Sequence, residues 1–271
     1  MSQVMVRHPV HPDLETTHAD HVYSVVEGRR AEATSTEVSN SWQRSAHQHR
    51  IAPDSREAPR VLTSSEVGIH REPLGQLIFS AQDELNRLFR VVREAGYALF
   101  FCDNAGVALE HRVDEAVASR FRYWGTWPGG VWNEASEGTN GVGTCICEER
   151  PVTIHRGQHY GTRHIDLSCS GAPIFGPDGR LMAVLDVSAI DPALSERAHA
   201  LAGVLTIMSA RAIEERFFRE QFRRAWIIAL PIPERRDAGM LLAVDDDSAS
   251  LAPTEPREPR SCWTMKGSNL D

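Results

Sequence analysis

The chain has 271 residues and a formal net charge of -8, which argues against coating nucleic acid by bulk electrostatics and leaves only a local basic patch open. Its length fits one sizeable domain with appendages or two small ones, and a 41% apolar share promises a core. Lys266 is the only lysine, so lysine-based catalysis is excluded in practice; no apolar run reaches membrane-spanning length and no signal peptide is present, so the chain reads as cytoplasmic, with its five cysteines reduced.

Residues 1–38 are polar and histidine-rich without apolar periodicity, and are expected to form a disordered tail. His8, His11, His18 and His21 match no standard metal-ligand spacing. Residues 39–96 are expected to form an N-terminal helical region. Within it Leu74, Leu77, Ile78, Ala81, Leu85, Leu88 and Val92 recur at three and four residues, one face of a helix, and Gly96 stands where a left-handed cap belongs.

Residues 97–190 carry strand grammar. "YALFFCDNAGVALEH" is two apolar runs around the turn Asp103–Gly106, and "LSCSGAPIFGPDGRLMAVLDVSAI" repeats the pattern around Gly176–Gly179. Between these hairpins lie a short helical piece near 114–121, a glycine-rich polar connection from Trp132, and a strand at 151–155. Residues 191–226 read as a helix, with Asp191 as N-cap and Pro192 in the first turn. There Leu194, Ala198, Leu201, Leu205, Met208 and Ala212 form the stripe expected to pack on the sheet. Phe217, Phe218 and Phe222 suggest that the far end continues as a dimer helix or signalling linker. "GMLLAVDDDSAS" resembles the start of a further domain, but residues 227–271 end in a proline-rich, aperiodic tail too short for a core of its own. The fold class is therefore α+β: an antiparallel sheet with helices packed on one side.

The connection "WNEASEGTNGVGTCICEERPVTIH" carries the candidate chemistry. It lacks the lysine of a phosphate-binding loop, and Gly141-Val142-Gly143 is too little for a dinucleotide fingerprint. Cys145, Cys147 and Cys169 with His155 and His159 leave nucleophilic, redox or metal chemistry open, although their spacing is no standard zinc pattern and buried structural thiols are common. The other reading is a recognition pocket. Trp132 offers an apolar face with one donor, and Asn133, Glu134, Asn140 and Thr144 offer a few directed polar groups.

Three segments, "GGVWNEASEGTNGVGTCICEERPVTIHRGQHY", "LSCSGAPIFGPDGRLMAVLDVS" and "SNSWQRSA", resemble the N-terminal sensory region of bacterial acetoin-catabolism regulators (AcoR-like), Fis-family enhancer-binding activators whose sensory part is a GAF domain. The resemblance covers about residues 39–224. It implies a GAF-like sheet, a pocket for a small metabolite shaped by Gly138–Thr144, and signal input rather than catalysis. Those regulators continue into an ATPase or a helix-turn-helix. This sequence has neither "GxxxxGK" nor a closing helix pair, so a truncated or stand-alone form is expected, reaching DNA or the transcription machinery only through another output part. The candidate ligand-contacting residues are Trp132, Glu134, Asn140, Thr144, Cys145, His155 and Cys169. No catalytic residue, metal, cofactor or membrane contact is expected. The expected partners are a small metabolite and a second copy of the chain. A thiol-based redox sensor or GAF-type methionine sulfoxide reductase, and a dimerisation scaffold without ligand, are the alternatives.

Overall fold

A computed structural model describes residues 12–29, 35–191, 195–232 and 235–244. Five strands, β1 (Tyr97–Asp103), β2 (Ala108–Arg112), β3 (Val152–His155), β4 (Leu167–Phe175) and β5 (Leu181–Ile190), form one antiparallel sheet in the order β2-β1-β5-β4-β3. Both expected hairpins are present. At the first turn the Asp103 carboxylate accepts from the backbone N–H groups of Ala105 (3.0 Å) and Val107 (2.8 Å), and Gly106 takes a φ of 81° that other residues resist.

Eight α-helices are described: α1 (Pro12–Val26), α2 (Thr36–Gln43), α3 (Ser64–Arg71), α4 (Gly75–Val92), α5 (Glu115–Tyr123), α6 (Glu134–Glu137), α7 (Gly141–Glu148) and α8 (Glu196–Gln221). Strand alternation sorts the core into two layers. Tyr97, Leu99 and Phe101 of β1 join Leu185 and Val187 of β5 beneath α4 and α8. Ala98, Phe100 and Cys102 face the other way, with Val184, Leu167 and Cys169, into a second core closed by Trp42, Trp132, Val142 and Cys145. Helices thus cover both faces of the sheet, where the sequence suggested one. The second cover is the glycine-rich connection itself, which coils into α6 and α7. Asn133 and Asn140 cap these helices, each accepting backbone N–H groups through its side-chain oxygen.

Three further expectations are corrected. Residues 12–26, assigned to a disordered tail, form α1, which buries Val22 and Val25 against Trp42, while His18 and His21 meet the Trp42 ring edge-on. Trp42 supplies a long-range apolar partner that local periodicity could not reveal; His8 and His11 lie outside the described residues. The N-cap of the long helix is Ser195, not Asp191, and Pro192 and Leu194 lie outside the described residues.

The third correction concerns which face of α8 is buried. Ala198, Leu201, Met208 and Ala212 are exposed, Leu205 is half-buried, and the helix lays His199, Ala202, Gly203, Thr206, Ser209 and Ala210 on the sheet. Small residues win that side because β4 is close: a methyl group on Gly203 would meet Thr153 Oγ1 at 3.0 Å and Ser170 Oγ at 3.1 Å.

After α8 the strands β6 (Trp226–Ile232) and β7 (Arg235–Val244) form a separate antiparallel hairpin. Its Leu241 and Ala243 pack on Phe218, with Phe222 beside them, and Phe217 enters the sheet core. The aromatic end of α8 is therefore covered by its own chain. The acidic turn and the proline-rich tail beyond residue 244 lie outside the described residues.

Candidate functional site: a closed cavity beneath the connection

On the sheet face covered by α7 lies an enclosed cavity with room for about one water molecule (≈ 10 Å³). Phe100, Cys102 and Ala108 form one part of its wall, and Leu167, Cys169, Asp186 and Ser188 form another. Trp132, Asn140, Gly141 and Val142 close it, with Thr126 from the loop after α5. The wall is mostly apolar, with polar side chains contributed by Thr126, Asn140, Asp186 and Ser188. A larger groove of about 950 Å³ between α4 and α8 is open, and of the charges that line it Arg216 pairs with Asp83 and Arg219 with Glu215.

Of the seven residues expected to meet a ligand, Trp132, Asn140 and Cys169 line this cavity. The Trp132 indole N–H donates to the Gly125 carbonyl at 3.2 Å, which orients its ring. Asn140 is committed to local structure: its side-chain oxygen accepts from the N–H groups of Val142 and Gly143, and its amide donates to the Gly138 carbonyl. Cys145 is fully buried in the same core without being part of the wall.

Glu134 and Thr144 belong instead to a buried polar network that ties α2 to the roof. Ser41 Oγ donates to Glu134 at 2.5 Å and lies 2.7 and 3.1 Å from the hydroxyls of Thr139 and Thr144. The Arg44 guanidinium grips both oxygens of Glu134 (2.7 and 2.9 Å) and reaches Glu148 at 2.8 Å. The "SNSWQRSA" segment thus supplies the hydroxyl and the cation that hold the roof. His155 points to the opposite face: Val152 and Ile154 enter the cavity-side core, so His155 alternates away, to Ser168 Oγ at 2.9 Å and toward the His199 ring.

Phe100, Cys102, Ala108, Thr126, Leu167, Asp186 and Ser188 of the wall were not anticipated. Thr126 has no distinguishing pattern around it. Asp186 had a signal in plain view, a lone acid inside the apolar run "LMAVLDVSAI". Its carboxyl is buried; Oδ2 accepts from Ser188 Oγ at 2.5 Å and Oδ1 has no hydrogen-bond partner among the described residues. Burial pushes it up to about 7, against the smaller opposing effect of the Ser188 hydrogen bond.

Cys102, Cys145 and Cys169 are shielded, while Cys147 is half-buried. Burial, with Asp186 adding to it, pushes Cys102, Cys145 and Cys169 above the ordinary thiol range, which favours the unreactive protonated form. No cluster of three or more His, Cys, Asp or Glu side chains suited to a metal occurs among the described residues.

Residues 84–213 match the GAF domain family. The chain carries a GAF domain. The match begins inside α4 and ends inside α8, so the two helices on one face of the sheet belong to it. Around this domain the chain is 31% identical over 212 residues to the acetoin catabolism regulatory protein of Cupriavidus necator, covering 77% of this chain and 32% of that protein. It is 28% identical over 181 residues to the acetoin dehydrogenase operon transcriptional activator AcoR of Bacillus subtilis, covering 66% and 29%. The chain therefore spans about a third of the length of these curated relatives. Among solved structures, a chain of the Escherichia coli DhaR(N)–DhaL complex superposes with a TM-score of 0.61 at 15% identity, over 70% of this chain and 65% of that one, a likeness of fold. Both of these relatives are named as regulators of acetoin genes or operons.

Proposed function

We propose that the cavity under α7 is the receptor for a small metabolite and that its occupancy is the input signal of a cytoplasmic transcriptional regulator. The observation that carries this reading is the closed, mostly apolar space walled by Phe100, Trp132, Leu167 and Cys169 and roofed by a capped, glycine-rich segment. The present arrangement holds about one water. A ligand of four carbons enters only if the roof lifts, and the roof is bound to α2 through Ser41 and Arg44. Binding therefore favours a second arrangement of α2, α6 and α7, and the two populations are the signal. Residues 39–96 and the helix α8 serve as the connecting regions around a sensory core at 97–190. Contact with DNA or the transcription machinery belongs to an output part outside this domain. No helix among the described residues is long and apolar enough to cross a membrane.

A homodimer is the second element of the proposal. Leu201, Val204 and Met208 form an exposed apolar stripe on α8, and Phe79 of α4 is exposed as well. Near Phe79 lie Glu215, Arg216, Arg219 and Glu220, two acids and two bases.

The names of the relatives justify testing short oxygenated molecules first. Thermal denaturation of the chain with a panel of alcohols, ketones, diols and hydroxyketones is expected to show stabilisation by at least one class, since a ligand at 100 times its Kd adds about 2.7 kcal/mol. Ala108→Leu, which fills the cavity from β2, is expected to abolish the response. A panel that leaves the melting curve unmoved would count against the receptor reading.

A further inference from the structure

A buried charge network joins α2 to the roof where an apolar contact would have closed the fold. Ser41, Thr139 and Thr144 are fully buried and gather their hydroxyls around Glu134. Arg44, its side chain 17% exposed, ties Glu134 at the start of α6 to Glu148 at the end of α7. At the rim Glu37 of α2 pairs with Arg150 at 2.8 Å, and Arg150 with Glu148 at 3.4 Å. The network reaches the cavity wall through Thr144, whose hydroxyl accepts from the Asn140 N–H at 3.3 Å.

Such a seam opens differently from an apolar one. Parted apolar faces meet water at full cost, whereas charges and hydroxyls recover the hydration they gave up on closing. A buried ion pair therefore fixes geometry while adding little net stability. The apolar hold of α2 lies elsewhere: Val38 and Trp42 enter the cavity-side core, and the Trp42 indole N–H donates to the Gln158 carbonyl at 2.9 Å. The helix also changes pitch at the clamp. Arg44–Gln48 is a π turn, in which the His49 N–H reaches the Arg44 carbonyl at 2.9 Å, and such turns are rare and concentrate at functional sites. Just beyond it the Tyr160 hydroxyl donates to the Ile51 carbonyl at 2.7 Å, so the π turn lies between two fixed points, the clamp and this anchor.

Resting on the receptor reading above, we propose that α2 is a latch on the cavity: the Ser41–Arg44 seam bars α6 and α7 from lifting, and its release, with Trp42 as the hinge, opens the site. Arg44 is the positioning residue. Its planar guanidinium grips Glu134 with two bonds and still reaches Glu148, which a point charge on a flexible stem cannot reproduce.

Labelling of the whole chain with N-ethylmaleimide near neutral pH, followed by peptide mapping and with no metabolite present, tests this. Cys169 is buried in the cavity wall, so its labelling rate reads how often the site opens. Arg44→Lys is expected to raise that rate about 10- to 100-fold while amide exchange in α4 and β1 stays as in wild type. Arg44→Met combined with Glu134→Met replaces the buried pair by apolar groups, and is expected to bring the rate below that of wild type. A wild-type rate in Arg44→Lys, or a double variant no slower than wild type, would overturn the latch. So would faster labelling matched by lost protection in α4 and β1, which is global unfolding. Should Arg44→Lys fold poorly, the double variant decides alone. Failure here leaves the receptor reading standing, and a metabolite panel without a response removes that reading while the labelling result stands.

Discussion

Asp186 is an acid in a place that disfavours its charge, and the stability of the fold should record this. Its side chain faces two shielded thiols, Cys102 and Cys169, and the Ser188 hydroxyl, with no cation beside it. Raised from 3.8 to about 7, it keeps a proton in the folded chain that the unfolded chain has lost. The resulting stability is fully present below about pH 4 and disappears as pH rises through 7. Glu214, pushed up to about 7 by burial, acts with the same sign. His199 and His159, driven by burial down to about 4 and about 3, act oppositely: their contribution is present above about pH 6.5 and is lost as pH falls. Total stability therefore mixes the two, and the difference between Asp186→Asn and wild type isolates the acid. Melting curves from about pH 4 to 8 are expected to give a difference near zero at the acid end and a gain for the variant of roughly 1–3 kcal/mol at the alkaline end. A flat difference across that range would mean that Asp186 titrates normally and is reached by solvent.

At the scale of elements, the roof depends on how closely α7 approaches its neighbours. Gly143 is one of the tight points: a methyl group there would lie 2.5 Å from the Glu134 amide nitrogen and 2.8 Å from the Trp132 carbonyl, both backbone atoms that cannot rotate away. Gly143→Ala is expected to cost about 1–3 kcal/mol through overpacking. It is also expected to raise amide hydrogen exchange selectively in α6 and α7 while β1 and β5 keep their protection. Uniform loss of protection would instead assign Gly143 to the global core. The same segment marks how far sequence reasoning reached. The hairpins were legible because turn chemistry is local: Asp103 and Gly106 carry the instruction themselves. The α4 stripe was legible because its large residues face a sheet. The α8 stripe misled, since periodicity reports that a helix has an apolar side but not which side the sheet accepts. Small residues around Gly203 took that role. Trp132 and Asn140 were placed at the site by the glycine-rich grammar around them, and Cys169 by its thiol, on the strand expected to lie across the sheet. Thr126 and Asp186 were missed because an orphaned polar atom is defined only by what surrounds it in space.

For the whole molecule, the outward stripe on α8 raises the question of what covers it. Leu201, Val204 and Met208 stand 63%, 51% and 57% exposed at three- and four-residue spacing, the pattern of a helix that meets another apolar surface. The chain's own hairpin cannot serve, because β7 is already spent on Phe218 at the other end of the helix. Phe79 on the neighbouring helix α4, 73% exposed, widens the patch, so that two copies related by a twofold axis would bring α4 and α8 of each into a four-helix contact. α8 lies on β4 and β5, whose other face bears Cys169 and Asp186, so in the proposed dimer a change at the cavity would reach the seam through a single sheet. Met208→Glu is expected to convert a dimer in sedimentation velocity to a monomer, because like charges would face each other across the axis. Its melting temperature at low protein concentration should move little, since Met208 contributes nothing to the monomer core. Ligand affinity should persist in that monomer, as the cavity is built within one chain. A wild-type chain that sediments as a monomer at all concentrations would instead assign the stripe to a different partner protein.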